Sequence, residues 1–241
     1  METTLIRERY KVVQVLDERE DYAFVLAVDI LDREQRSYLL NIYHGPLLRA
    51  FLPGFNHMSA CSEFQGMFVD GDRLVTVFED VQGMPIDWVF HLKAKFDWRT
   101  RLEYAELLLH QALNLTDLPA EVGCPAMLSE NVLINLNNDQ VRLRFKVVPL
   151  EETDSRELAR LAGQQAKKIL APQFFSPMEQ LDFLDELDRG GFAGMVQLYA
   201  LWRERREQIR EACEQLEQKG FFQRCLFQLW RRVKRKMGRA R

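Results

Sequence analysis

Three features that follow one another in the middle of the chain constrain its fold more than its composition does. The first is a strand-like run at residues 74–78, which ends in the acidic pair Glu79-Asp80. The second is a long helical pattern that begins at Asp97, and the third is the segment 124–134, which leads through 137–139 into another apolar run. Any fold proposed for this chain must account for all three features in this order and at these distances along the sequence.

The first third of the chain is typical of β-structure. Runs of β-branched and aromatic residues at 10–16, 22–28 and 37–43 are separated by polar turns. A fourth and a fifth run flank Asp70-Gly71, a preferred two-residue hairpin turn. We therefore expect five antiparallel strands. Between the third and fourth runs, Pro53-Gly54 predicts a helix that is shortened or interrupted.

After Pro85 the hydrophobic period changes from two residues to 3.6. A short helix is expected at 86–90 and a long buried one from Asp97 to about residue 115, because apolar residues cover one wide face there. Two short strands are expected at 132–136 and 141–147, and the alternation in the second predicts one buried and one wet face. The remaining segments predict helices at 155–170, 177–187 and 191–217.

Together these segments resemble a protein kinase. Residues 74–83 resemble the fifth strand and hinge of that fold, with Glu79 at the acidic end of the strand, and residues 124–134 resemble its catalytic loop, usually HRDLKPENILI. The resemblance implies an α+β, two-lobed protein-kinase-like fold. It would have a five-stranded antiparallel N-lobe (1–83), a reduced helical C-lobe (84–218) and a basic amphipathic C-terminal helix (219–241).

The residues that transfer phosphate in a kinase are missing from the resembling positions. Phosphoryl transfer requires glycine backbone over the phosphates, a lysine on them, and carboxylates that bind magnesium and accept the substrate proton. Residues 1–44 contain no glycine, and the resemblance places Asn41 where the lysine should stand. It also places Cys124 at the histidine and Ala126 at the aspartate of the catalytic loop.

The metal-binding positions are degenerate as well. The metal-binding aspartate falls at Arg144 or Phe145, no acid lies between residues 140 and 150, and only Asn131 survives. One amide does not hold magnesium. We therefore expect a pseudokinase, with no enzyme activity, no metal and no cofactor. The alternative is an atypical kinase or nucleotide-binding protein with relocated residues, for which Asp80 or Glu130 together with Lys146 are the candidates.

The sequence also leaves no room for the activation segment, the part of a kinase that binds the peptide substrate. Only residues 148–154 separate the second short strand from the next expected helix, so no activation segment fits. Reduced pseudokinases of this kind loosely resemble the cytosolic part of the membrane-anchored pseudokinase of type VII secretion systems in Gram-positive bacteria, the YukC/EssB family. That resemblance implies a protein-binding scaffold at the cytoplasmic face of a bacterial membrane. The sequence does not identify its protein partner.

Charge is distributed unevenly along the chain. Residues 219–241 carry nine of the 33 Lys and Arg residues and none of the 36 acids, which leaves a net charge of −12 on residues 1–218. Apolar residues recur at steps of three and four in the basic segment, so it predicts a helix that binds an anionic membrane surface. The residues expected to bind the membrane are Phe222, Leu226, Leu229, Trp230, Arg231, Arg232, Lys234 and Arg235.

Two other readings of the basic segment stay open: the protein is a soluble adaptor whose segment 219–241 folds back on the acidic body, or the segment binds another protein. Nucleic acid is not an expected partner, because the body is acidic. The four cysteines form no CxxC pair and indicate reduced thiols. No apolar run is long enough for a signal peptide or a membrane span. We expect a cytoplasmic protein, with peripheral attachment to the inner face of the membrane.

Overall fold

The N-terminal part of the protein is a curled antiparallel sheet. The structure, a computed structural model, describes residues 4–91 and 94–219. Six strands lie in the spatial order β1-β2-β3-β4-β6-β5, where five were expected, because a two-residue strand pairs with the edge of the second. The strands are β1 (Leu5–Ile6), β2 (Tyr10–Arg19), β3 (Tyr22–Asp29), β4 (Ser37–Tyr43), β5 (Phe64–Asp70) and β6 (Arg73–Glu79).

The central strands of the sheet are buried on both faces. In β4 and β6 nearly every residue is buried, so their sequences read as continuous apolar runs. One face packs on the helical part through side chains such as Leu39 and Phe78. The opposite face is covered by the chain's own N-terminal residues, including Ile6 and Tyr10. The curl of the sheet therefore gives it a second, smaller core.

A single helix, α1 (Gly45–Phe55), crosses from β4 to β5. It is short, as Pro53-Gly54 predicts, but the pair does not interrupt it. Pro53 removes one backbone hydrogen bond of the helix, and the helix ends two residues later at Phe55. A Cβ at Gly54 would lie 2.6 Å from a carboxylate oxygen of Glu121, so the Glu121 side chain packs directly against the backbone at Gly54.

The C-terminal part is mostly helical and contains a small sheet. That sheet has the strand order β7-β8-β9; the two strands expected from the sequence are present and pair with each other, and β7 adds a third strand that was not expected. Its last strand ends at Leu143, four residues earlier than expected. The elements are β7 (Met84–Pro85), α2 (Ile86–Val89), α3 (Trp98–Asn114), α4 (Ala120–Ala126), β8 (Val132–Asn135), β9 (Gln140–Leu143), α5 (Ser155–Ile169), α6 (Met178–Arg189) and α7 (Met195–Glu217), with a 3-10 turn at Leu115–Asp117.

Helix α3 is the buried helix that the sequence predicts. The side chain of Asp97 accepts a hydrogen bond from the backbone N–H of Thr100 at 2.8 Å and caps its first turn. The helix also buries the guanidinium of Arg101, which donates to the carbonyl of Ile169 at 2.6 Å and so fixes the end of α5 against α3. Burial lowers the pKa of Arg101. The apolar period does not reveal this buried cation.

The sheet and the helical part meet across a cleft, which gives the two-lobed α+β arrangement that the kinase resemblance implies. The segment after β9 runs along this cleft, and its residues 144–147 alternate between partly and fully buried. Helix α5 begins at Ser155, so the interval that a kinase uses for its activation segment is as short as expected. Within residues 4–91 and 94–219, no helix combines the length and the hydropathy that a membrane crossing requires.

Candidate functional site: the cleft between the lobes

Asn41, at the position that the resemblance assigns to the kinase lysine, lies fully buried in β4 and faces the cleft. Its side-chain oxygen accepts hydrogen bonds from the Tyr22 hydroxyl and from the backbone N–H of Val147, both at 2.8 Å. Its amide nitrogen donates to the carbonyl of Phe145 at 3.0 Å. One amide therefore joins the sheet to the segment that follows β9.

Two tyrosines strengthen this junction. The Tyr43 hydroxyl donates to the carbonyl of Val147 at 2.8 Å, while Tyr22 donates to Asn41 as described. Burial raises the pKa of both phenols far above their ordinary value, so they keep their protons and act as donors at neutral pH. Tyr22 and Tyr43 face each other in the β3–β4 register. No spacing in the sequence marks these two residues as a pair.

An aromatic stack fills the cleft below the end of β6. The rings of Phe78 and Phe145 are parallel to within 9°, with centroids 5.0 Å apart. Phe78 is fully buried and Phe145 nearly so. In the kinase resemblance, Phe78 guards the nucleotide cleft and Phe145 lies at the metal-binding position. Here the two rings contact each other and occupy the space between the lobes.

Helix α1 contributes aromatic contacts where a kinase has a glutamate for its lysine. No acidic residue stands in α1. Instead the ring of Phe51 stacks on Tyr43 with centroids 4.7 Å apart, and Phe55 lies within 6.3 Å of Phe78. The ion pair of an active kinase is thus replaced by an apolar cluster on one side and by the neutral amide of Asn41 on the other.

The predicted catalytic loop begins as a helix. Cys124 and Ala126 lie in the last turn of α4, so the expectation of a loop at these two positions is wrong. The Cys124 thiol is buried and donates to the carbonyl of Asp154 at 3.5 Å. Burial raises its pKa to about 12, so it is not a thiolate at neutral pH. Ala126 is fully buried, which places its methyl group in the core.

Asn131, the surviving kinase residue, supports the turn before β8. Its side-chain nitrogen donates to the carbonyl of Pro125 at 2.8 Å and to that of Lys146 at 3.3 Å. Its backbone oxygen accepts from the N–H of Arg144 at 2.8 Å. Its buried side-chain oxygen has no protein partner in the described part of the chain. No group of three or more potential metal ligands occurs among the described residues.

Charged groups close the mouth of the cleft. The Lys146 ammonium lies 2.9 Å from a carboxylate oxygen of Asp17 in β2 and 3.7 Å from one of Glu130. The hydrogen bond from Lys146 lowers the pKa of Asp17. The pair of Asp17 and Lys146 therefore joins β2 to the segment after β9. In a kinase, the corresponding parts cover the phosphates and bind the metal. The sequence places Asp17 in the polar turn after the first run, whereas β2 continues through it to Arg19; nothing in the sequence indicates its partner.

The other two charged candidates lie apart from this pair. Burial raises the pKa of Asp80, and the positive charge of nearby Arg144 opposes that shift. Glu79 is exposed and accepts a hydrogen bond from the side chain of Gln65 at 3.0 Å. The structure thus brings Lys146 together with Glu130, as the relocated-kinase alternative requires, but it places Asp80 next to an arginine. The eight residues expected to bind the membrane all lie outside the described residues.

No known protein family's sequence profile matches this chain, and no curated protein matches it either. Solved structures do resemble it. The apo pseudokinase GRMZM2G135359 superimposes with a TM-score of 0.57 at 12% identity, over 81% of this chain and 90% of that one. The PknI kinase domain of Mycobacterium tuberculosis gives 0.56 at 13% identity over 85% and 98%. Rad53 in complex with AMP-PNP gives 0.61 at 14% identity over 80% and 65%.

These likenesses show the fold. The chain has a protein-kinase-like fold, as the segments around Glu79 and Asn131 predict. Because the similar structures include both a pseudokinase and kinases, and all are far below 25% identical, the likeness by itself assigns no activity. The looser resemblance to the type VII secretion pseudokinases, and the bacterial origin it implies, stay predictions.

Proposed function

We propose that this protein is a pseudokinase, a kinase-like domain that transfers no phosphate and serves as a protein-binding scaffold. The observation that supports it best is the hydrogen bonding of Asn41, whose amide is held by Tyr22, Phe145 and Val147 inside the cleft. A kinase uses that position to bind phosphate with a lysine. Here the position holds the two lobes together.

The aromatic stack supports the same proposal. A nucleotide base could enter only if the Phe145 ring left Phe78, and exposing a buried phenylalanine costs about 2–3 kcal/mol. Phosphates that approach Lys146 at the mouth of the cleft would have to displace the carboxylate of Asp17, which already occupies its ammonium. Space and charge therefore both oppose ATP binding.

A thermal-shift titration with ATP and magnesium tests this proposal. We expect no rise in melting temperature up to about 5 mM ATP, because a ligand stabilises a protein only if it binds the native state. The same titration without magnesium separates metal-dependent from metal-independent binding. A dose-dependent rise in either series would contradict the closed cleft.

The enzyme alternative rests on Lys146, which lies between Asp17 and Glu130. A phosphate-transfer assay with radiolabelled ATP would compare the wild type with Lys146→Met and with Arg142→Met, an exposed basic residue on β9. We expect all three proteins to give the same background signal. If the wild type and Arg142→Met transfer phosphate and Lys146→Met does not, the protein is an atypical kinase.

The second part of the proposal places the scaffold at an anionic membrane surface, through the basic segment 219–241. Its support is the sequence pattern of apolar and basic residues. In a flotation assay with phosphatidylglycerol vesicles, we expect the wild type to float at low salt. Trp230→Glu should abolish this at any ionic strength, whereas Gln228→Glu, which adds the same charge at a polar position, should weaken it only slightly. An intact protein that stays in solution would exclude membrane attachment by this segment.

A further inference from the structure

A cavity of about 230 Å³ opens between the beginning of α3, the loop before α6 and the end of α7, and none of its lining residues belongs to the cleft. We call it the α3–α7 cavity. Leu102, Leu170, Ile209, Cys213 and Leu216 line it. An apolar cavity of ~150 Å³ is enough to hold a benzene ring. The α3–α7 cavity is therefore large enough for an aromatic side chain.

The polar side chains around the α3–α7 cavity already have protein partners. Arg101 donates to the carbonyl of Ile169, and Gln180 donates to the carbonyl of Leu170 at 2.8 Å. Glu217, at its rim, accepts from the indole of Trp98 at 2.8 Å and from Arg99. An occupant thus gains little from polar contacts in the cavity and more from burying an apolar surface.

The chain itself delivers aromatic residues to this place. Helix α7 ends at Glu217 on the rim, and Phe221 and Phe222 follow four and five residues later. Five extended residues span at most ~18 Å, so either ring can return to the cavity mouth. A further apolar surface lies beside it, because Phe174 is 70% exposed and its ring contacts Phe175, which lines the cavity.

Charge complements this geometry. Glu179, Asp182 and Asp185 are spaced three residues apart on α6, and we call them the α6 acidic row. Its first member, Glu179, directly precedes Gln180, which lines the cavity. Residues 220–241, which we call the tail, contain eight Lys and Arg residues and no acid.

We propose that the tail docks on this surface of its own chain. An aromatic side chain, Phe221 or Phe222, enters the α3–α7 cavity, and the basic residues that follow lie against the α6 acidic row. Docking buries apolar residues of the tail that a membrane would otherwise bind, so the body and an anionic surface compete for the same segment. This goes beyond the pseudokinase proposal and does not depend on whether the cleft binds ATP.

Zero-length crosslinking with a carbodiimide, which joins carboxylates to lysines in contact, tests the docking. In dilute full-length protein without lipid, we expect crosslinks from Lys234 or Lys236 to the α6 acidic row, within the monomer band. Replacing both Phe221 and Phe222 with alanine should lose most of them, because no ring is then left at this end of the tail to fill the cavity. Replacing Gln223 and Gln228 with alanine changes two polar positions of the tail instead and should retain them.

Three results would overturn the proposal: no tail crosslinks, crosslinks only to carboxylates elsewhere on the body, or crosslinks found only between two chains. A second measurement uses the vesicles. Replacing the α6 acidic row with lysines should increase vesicle binding several-fold, whereas the same change at the exposed residues Glu18, Glu20 and Asp72 should not. If intact protein fails to float but the crosslinks form, membrane attachment is wrong and docking stands.

Discussion

The cleft between the lobes is filled by side chains, whereas the α3–α7 cavity in the same molecule is open. In the cleft, where a kinase keeps a ligand site open, Asn41 and the stack of Phe78 on Phe145 leave the lobes joined to each other. In the helical part, a mostly apolar cavity of about 230 Å³ stays open beside the end of α7. The cleft is therefore filled by the protein's own side chains, whereas the open apolar space lies in the helical part.

The largest expected effect is on the aromatic stack. Phe145→Ala should lower the free energy of unfolding by about 4 kcal/mol, because it removes a buried ring and leaves a cavity between the lobes. Urea denaturation followed by circular dichroism measures this. Trp88→Ala removes an exposed aromatic and should change stability by less than about 1 kcal/mol. A similar small loss for Phe145→Ala would mean that the cleft is not closed by this contact.

A somewhat smaller effect is expected at Asn41. Asn41→Leu keeps the volume but leaves the Tyr22 hydroxyl, the Phe145 carbonyl and the Val147 N–H without a partner. Each unsatisfied buried group costs about 1 kcal/mol or more, so we expect a loss of about 3 kcal/mol in the same denaturation experiment. Asn138→Leu, in an exposed turn, is the control. If the two variants were equally stable, Asn41 would not join the lobes.

The smallest expected loss of stability comes from the ion pair at the mouth of the cleft. It distinguishes the contribution of charge to the closed cleft from that of packing. Asp17→Asn should cost about 1 kcal/mol or less, since its pair with Lys146 is partly exposed. The folded pKa of Asp17 is lowered below its ordinary 3.8, so the contribution is fully present above that value and is lost as pH falls through the lower, folded pKa.

The corresponding measurement is the difference in unfolding free energy between wild type and Asp17→Asn across pH. It should stay constant from about pH 8 to pH 5 and shrink below about pH 4. Glu20→Gln, which removes the same charge from an exposed position in the adjacent turn, is the control. A difference that grows on acidification would mean that Lys146 does not stabilise the ionised carboxylate.

Much of the fold could be predicted because it depends on local patterns. The β4 run ends at the expected residues, and α3 begins at its Asp97 cap, since strand composition and capping act within a few residues. Strand β1 escaped prediction because two residues carry no period. The third strand of the small sheet, β7, escaped for the same reason. The segment that resembles the catalytic loop begins inside α4 at Cys124, and this was missed because the kinase resemblance predicts a loop there.

For the candidate site, too, only part could be predicted from the sequence. The absence of catalytic charges at Asn41, Ala126 and Arg144 follows from residue identity alone, and so does the contrast between an acidic body and a basic C-terminal segment. What replaces those charges was decided only by the tertiary structure. Asn41 and Val147 are 106 residues apart in the chain, and Asn41 and Phe145 are 104 apart. Such contacts depend on how the sheet and the helical part pack, and sequence patterns encode neighbours within one element, not the atoms that meet across two.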